Sequence, residues 1–370
     1  MNIKRRKDSK TDNKIGRSLM ASKADVVNYY SMLKYLYPEI GNKTIDIEMC
    51  NTIDDVYALV LCKWCGTLAK QGLYKEYVTI ENEELTSPRG QINFQETIAR
   101  QTIKTGKIVC SYDELSENIY LNKIIKGTLQ YFSHEETIND NIKTEIMKAM
   151  QMFNAVDYTD IKTIAWKNIR YNNSTIRYKH PIELCKTYID EHKEIKKGNY
   201  TDSERLYILF KRQMLKFIKQ KFSENRTVEV FDRPYTLDTE PEFEVKLFKR
   251  QMLIAISNDT HSLLYMIRLQ DEKALRNEDN ILLKRSHEFV KYMREFKADH
   301  GTAVNGTMIY VNIDNRKLNL QPMNINVYDD YAIGELTVDI YDQWRFIENK
   351  LEEPIKFFIQ RSERKAFVHN

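Results

Sequence analysis

The sequence predicts an α+β chain of two domains, and three observations carry that expectation. Its 370 residues exceed what one core usually supports, so two units that each bury a core are the default. Apolar residues recur at helical spacing in some stretches and alternate as in strands in others. The pattern breaks at Lys196-Lys197-Gly198-Asn199-Tyr200, after which Thr201 and Glu204 form a T-x-x-E capping box that opens a new helix. The expected organisation is a basic leader over 1–25, a first domain over 26–199 and a second over 200–370.

The leader comes first. Residues 1–17 hold Lys4, Arg5, Arg6, Lys7, Lys10, Lys14 and Arg17 against Asp8 and Asp12, a net of +5 in a chain whose formal charge is +4, so the remainder is near neutral at −1. With little apolar content this segment is expected to be disordered. Lys4, Arg5, Arg6 and Lys7 could touch nucleic-acid phosphates, or the tail could simply be solvated. No apolar core of a secretory signal follows the charges, and no run approaches the roughly 20 apolar residues of a membrane span. A cytoplasmic protein with no membrane partner is expected.

The elements then follow in order. Residues 26–37 carry a broad apolar helical face, and the helix over 53–71 buries Val56, Leu59, Val60, Trp64 and Leu68 before Gly72 caps it. Residues 74–80 suit a strand. Pro88 breaks what precedes it, and Gly90 permits a tight turn into Gln91-Ile92-Asn93-Phe94, whose alternation fits a half-buried strand. Leu121, Ile124, Ile125, Thr128, Leu129 and Phe132 form one helical stripe. Helices over 135–153 and 181–196 flank a polar, strand-like stretch at 169–178. Beyond Thr201 an amphipathic helix runs through Leu206, Phe210, Met214, Phe217 and Phe222, then strands over 227–231, 243–248, 252–257 and 263–269, a helix over about 281–296 and a strand over 307–313.

Several chemistries find no support. Cys50, Cys62, Cys65, Cys110 and Cys185 are too few and scattered for a disulfide framework. Cys62-Lys63-Trp64-Cys65 lacks the second C-x-x-C or His pair of a zinc site, so these thiols read as packing groups. There is no G-x-x-x-x-G-K-[ST] loop, so the chain does not bind a nucleotide by that route, and no G-x-G-x-x-G or H-E-x-x-H. His180, His261 and His287 are isolated, as surface or turn residues would be.

One stretch resembles a known family. The R-G-x-I turn at Arg89 to Ile92, the Y-D-E-L block at Tyr112 to Leu115 and the N-x-I-I-K-x-T-L helix at Asn122 to Leu129 resemble the signature of the McrC family, the partner subunit of McrB-type GTP-driven restriction complexes. Val26 to Tyr37 resembles the opening N-I-Y-Y-M-L-x-Y segment of those proteins, and the helix after Thr201 resembles the one that opens their nuclease domain. The resemblance implies an N-terminal McrC-like partner-binding domain and an α/β restriction-endonuclease-like domain of the PD-(D/E)xK type. It also implies an N-terminal half that plugs a hexameric McrB-like AAA+ GTPase, which itself binds GTP, and a C-terminal half that cuts DNA. Arg89 and Gly90 are the candidate partner-binding residues. An R-G turn can present a guanidinium to a partner, or Arg89 can merely close its turn.

The implied nuclease site departs from the family pattern. Family members place an Asp on one strand and a D/E-x-K on the next to hold a divalent cation that generates hydroxide and neutralises the scissile phosphate. Here the corresponding strands are 252–257 and 263–269, with neither carboxylate nor lysine. The other register uses 243–248 first and recovers only Glu244. A hard cation needs several anionic oxygens, so an inactive nuclease fold is expected, with magnesium relevant only to an active one and no cofactor bound by this chain. Two alternatives stand beside it: a relocated site built from Asp271, Glu272, Lys273 and Glu288, or a DNA-binding module acting alone through the leader.

Overall fold

The computed structural model describes residues 22–41, 45–196, 201–223, 226–231, 251–269, 278–313, 324–327 and 331–368. Lys4, Arg5, Arg6, Lys7, the strand expected over 243–248, Glu244 and the Asp271-Glu272-Lys273 cluster lie outside them. Contacts divide the chain into two compact units, Tyr37–Tyr200 with Met20–Val26, and Thr201–Asn370 with Val27–Leu36. Helix α1 (Lys23–Leu36) thus gives most of its length to the second unit, although the sequence placed it in the first domain.

In the first unit, a single turn α2 (Pro38–Gly41) precedes α3 (Ile53–Lys70). A capping box fixes the start of α3: the Thr52 side chain accepts from the Asp55 amide, and Asp55 accepts from Thr52. Asp55 is fully buried yet also accepts from the Asn51 and Asn139 amides, so its charge sits among donors at a helix N-terminus. Strands β1 (Glu76–Leu85) and β2 (Gln91–Ile92), short helix α4 (Phe94–Ala99) and strand β3 (Ile108–Ser116) follow, then α5 (Tyr120–His134), α6 (Asp140–Gln151) and α7 (Lys179–Lys196). Helices α3, α5, α6 and α7 pack together. Every residue of the 121–132 stripe is buried, and Phe132 meets Tyr188 of α7 with ring centroids 4.4 Å apart.

Three local expectations change. The strand expected over 91–94 stops at Ile92, because the Asn93 side chain accepts from the Glu96 amide and caps α4. The helix expected from 135 starts at Asp140 behind the cap Asn139. The stretch at 169–178 is no strand: the Asn172 side chain accepts from the Ser174 and Thr175 amides, a local bond that competes with a ladder, and Ile176–Tyr178 is a 3-10 turn.

In the second unit the predicted capping box opens α8 (Asp202–Phe222), with Glu204 accepting from the Thr201 amide at 2.7 Å. Then come β4 (Thr227–Phe231), β5 (Gln251–Ser257), β6 (His261–Leu269), α9 (Glu278–His300), β7 (Ala303–Asn312), β8 (Asn324–Val327), β9 (Ala332–Asp339) and α10 (Trp344–Val368). The last three were not anticipated. The six-stranded sheet runs β4-β5-β6-β7-β9-β8, with β6, β7 and β9 parallel and the outer pairings antiparallel. Leu264 and Met266 of β6 pack on Phe289, Tyr292 and Met293 of α9. Tyr265, on the opposite face by strand alternation, donates to the Leu351 carbonyl of α10 at 2.6 Å. Helices therefore cover both faces of the sheet, which explains why β6 is buried without a break from Ser262 to Arg268.

Candidate functional site

The first unit exposes apolar side chains where an enclosed sheet would bury them. β3 is central in the sheet β1-β3-β2, paired antiparallel with β1 from Glu76↔Ser116 to Leu85↔Ile108 across a bulge between Ile80 and Glu83. Within that bulge Asn82 has φ +55; its amide donates to Ser111 Oγ, and its side-chain oxygen accepts from Asn93. No β1 residue is fully buried. Tyr77 is 76% exposed opposite Leu115, and Phe94 and Ile98 are each 68% exposed. The last two lie four apart on α4, on one face of the helix. Ile103 on the next turn is equally open, among Arg100, Lys104 and Lys107.

Sequence reasoning missed this set. Asn93 with Glu96 three residues on was the legible signal of a helix start, and with it the i, i+4 placement of Phe94 and Ile98.

Arg89 and Gly90 sit at the base of the same sheet. Gly90 has φ +66, and a Cβ there would lie 2.4 Å from the Ser111 carbonyl oxygen and 2.6 Å from Tyr112 Cβ. The turn is thus pressed onto β3. The Arg89 guanidinium lies 4.0 Å from the centre of the Tyr112 ring and 3.8 Å from Glu114, both charged side chains about half exposed. The Tyr112 hydroxyl donates to Glu83, whose carboxylate pushes the phenol above its ordinary range. Arg89 reaches from its turn onto β3 and keeps its guanidinium about half exposed.

The second unit places side by side the two strands on which the sequence resemblance would look for metal ligands, and neither carries Asp, Glu or Lys. β5 and β6 pair antiparallel from Gln251↔Arg268 to Ser257↔Ser262, and their centres are packed with apolar residues. These residues do not fit a divalent cation, and among the described residues no group of three or more His, Cys, Asp or Glu could hold one. Glu288 of α9 is engaged with Arg268 of β6 at 2.8 Å and accepts from Tyr292 at 3.5 Å. Nothing gathers other described carboxylates around it. All five thiols are buried, and burial pushes Cys50, Cys62 and Cys185 up to about 12, far from reactive or metal-binding thiolates. No helix among the described residues is long and apolar enough to cross a membrane.

Comparison with known proteins extends these observations. A family model described as McrBC 5-methylcytosine restriction system component matches residues 31–214. The chain is 22% identical over 345 residues to the type IV methyl-directed restriction enzyme EcoKMcrBC of Escherichia coli (strain K12), covering 88% of this chain and 95% of that one. Its fold is similar to a chain in the refined half-complex from the tetradecameric assembly of Thermococcus gammatolerans McrB AAA+ hexamers with bound McrC. That match has a TM-score of 0.55 at 14% identity and covers 90% of this chain and 78% of the other.

Proposed function

Because the chain belongs to the McrBC 5-methylcytosine restriction system component family, as an McrC-like member matched over residues 31–214, we propose that it binds and stimulates a McrB-like AAA+ GTPase hexamer in a cytoplasmic restriction or anti-phage system. The sheet β1-β3-β2 with α4 is the docking element. Its exposed Phe94 and Ile98 are the observation that carries this, because large apolar groups on a short capped helix have no core behind them and gain burial only from a partner. The solved relative, McrB AAA+ hexamers with bound McrC, is consistent with such an assembly. GTP belongs to the partner, since no phosphate-binding glycine loop occurs in this chain.

The second unit, in this proposal, is a nuclease fold without metal-dependent cleavage of its own, retained for assembly and for contact with DNA. Its supporting feature is the apolar pair β5 and β6 with Glu288 held by Arg268.

The test mixes the purified chain with a McrB-like AAA+ GTPase from the same genome and measures complex formation, GTP turnover and DNA cleavage with magnesium or manganese. Complex formation with raised turnover is expected, weakened at least about tenfold in affinity by Phe94→Ala with Ile98→Ala. Normal affinity in that variant would remove the docking element. Cleavage by this chain that disappears with Glu288→Ala, or with Asp271→Ala or Glu272→Ala, would establish the relocated nuclease instead. DNA binding that needs only residues 1–17 and no GTPase would favour the stand-alone module.

A further inference from the structure

Residues 161–182 form the longest stretch of the chain without Asp or Glu, yet they carry Lys162, Lys167, Arg170, Arg177 and Lys179, a net of +5 where the chain beyond the leader is near neutral. Arg177 is spent locally, donating to the Gly72 carbonyl at 2.6 Å. The other four are exposed. Lysines elsewhere in the first unit pair with acids, Lys75 with Glu117, Lys123 with Asp157, Lys143 with Asp140 and Lys148 with Glu145. Among the described residues, none of these four cations pairs with a carboxylate. The acids just ahead are occupied: Asp160 accepts from the Lys162 amide, and Asp157 accepts from the Asn118 side chain and faces Lys123.

The stretch has little regular structure beyond three 3-10 turns, but both of its ends are pinned. At the start, Ile161 and Ile164 are buried, and the Ala165 amide donates to the Tyr120 hydroxyl of α5 at 2.9 Å. At the end, Tyr178 is fully buried and its hydroxyl accepts from the Tyr74 amide at 2.9 Å, while Asn122 of α5 donates to the Tyr74 carbonyl at 3.1 Å. Between them Arg170 closes its own turn on the Lys167 and Ile169 carbonyls. The strap thus leaves and returns to the first turns of α5, so its four cations are held on a closed, preorganised loop and binding has less ordering to overcome.

We infer that the strap from Lys162 to Lys179 is a nucleic-acid-binding surface of the first unit, which grips the phosphate backbone of DNA without reading its sequence. Lys and Arg interspersed with exposed Asn168, Asn173 and Ser174 are the donors that phosphate oxygens take. A protein partner is the poorer fit, because interface centres are depleted in lysine and built on large apolar anchors, which this unit places on α4 and its sheet instead. The inference stands apart from the GTPase partner and can be read on this chain alone.

The experiment measures binding of a short fluorescent DNA duplex of random sequence across a salt series. It uses the full-length chain with the seven leader cations of residues 1–17 changed to glutamine, so that the leader does not mask the strap. In that background, Lys162→Gln, Lys167→Gln, Arg170→Gln and Lys179→Gln together are compared with Lys143→Gln, Lys148→Gln, Lys186→Gln and Lys193→Gln, which remove the same charge from α6 and α7. The strap variant is expected to lose at least about tenfold in affinity at low salt and to flatten the slope of log affinity on log salt by about 3, since each phosphate contact contributes about 0.9. The control variant should keep most of both, and the melting temperatures should match. A leader-neutral chain that does not bind DNA, a strap variant with unchanged affinity and slope, or a control that loses as much would overturn the inference. Unchanged DNA binding with a weakened GTPase complex would make the strap a protein-docking surface and overturn it as well.

Discussion

Two glycines with nearly the same backbone angle give a controlled measure of how tightly the Arg89 turn is pressed against its sheet. Gly90 has φ +66 and Gly106 has φ +70. Either one replaced by alanine incurs the left-handed penalty of about 1–2 kcal/mol. At Gly106 nothing lies within 4 Å of the new Cβ, so the cost ends there. At Gly90 the Cβ meets Ser111 O at 2.4 Å, Tyr112 Cβ at 2.6 Å and Tyr112 Cα at 2.9 Å, all atoms of a central strand rather than flexible ends. Forcing them apart adds about 1–3 kcal/mol of overpacking, for a total of roughly 2–5 kcal/mol. Hydrogen exchange of peptides covering 76–116 is the suitable assay, because the sheet can open without global unfolding. Gly90→Ala should accelerate exchange there well beyond Gly106→Ala. Equal effects of the two substitutions would refute the close packing of the turn on β3.

Three further outcomes follow from the second unit and the thiols. Arg268→Met should destabilise by up to about 3 kcal/mol in denaturant by leaving Glu288 unpaired in a half-buried place, and Arg268→Met with Glu288→Leu should recover most of that loss. Thiol reagent at pH 8 should label the native chain slowly and the denatured chain at all five cysteines, since all five are buried; rapid native labelling would contradict that burial. Burial raises the Glu335 carboxyl above the ordinary glutamate range, partly offset by a hydrogen bond from Ser286. Folded Glu335 therefore holds its proton more tightly than the unfolded chain does, so its contribution is present below the ordinary glutamate range and is lost as pH rises through the higher folded value. Glu335→Gln should flatten that decline and raise the melting temperature at neutral pH relative to wild type; an unchanged pH profile would exclude it.

Much of the fold was legible because it is local. The stripe from Leu121 to Phe132, the capping box at Thr201 and the apolar runs of β5 and β6 depend on spacing within one element, and a period of 3.6 or an apolar β run survives in a single sequence. The errors came where side chains compete with the backbone. Asn93 and Asn172 each capture amides that a strand would have used. The absence of carboxylate and lysine from β5 and β6 was equally readable, since it is a matter of composition.

The sequence alone determined the helical faces, the capped helix start at Thr201 and the lack of carboxylate and lysine in β5 and β6. Only the tertiary structure decided that Arg89 rests on Tyr112 beside Glu114, that Glu288 is claimed by Arg268 twenty residues away, and that Phe94 and Ile98 face solvent. The physical reason is that periodicity tells which side of an element is apolar, whereas pairing between distant residues and exposure of a given face depend on how the chain closes in three dimensions.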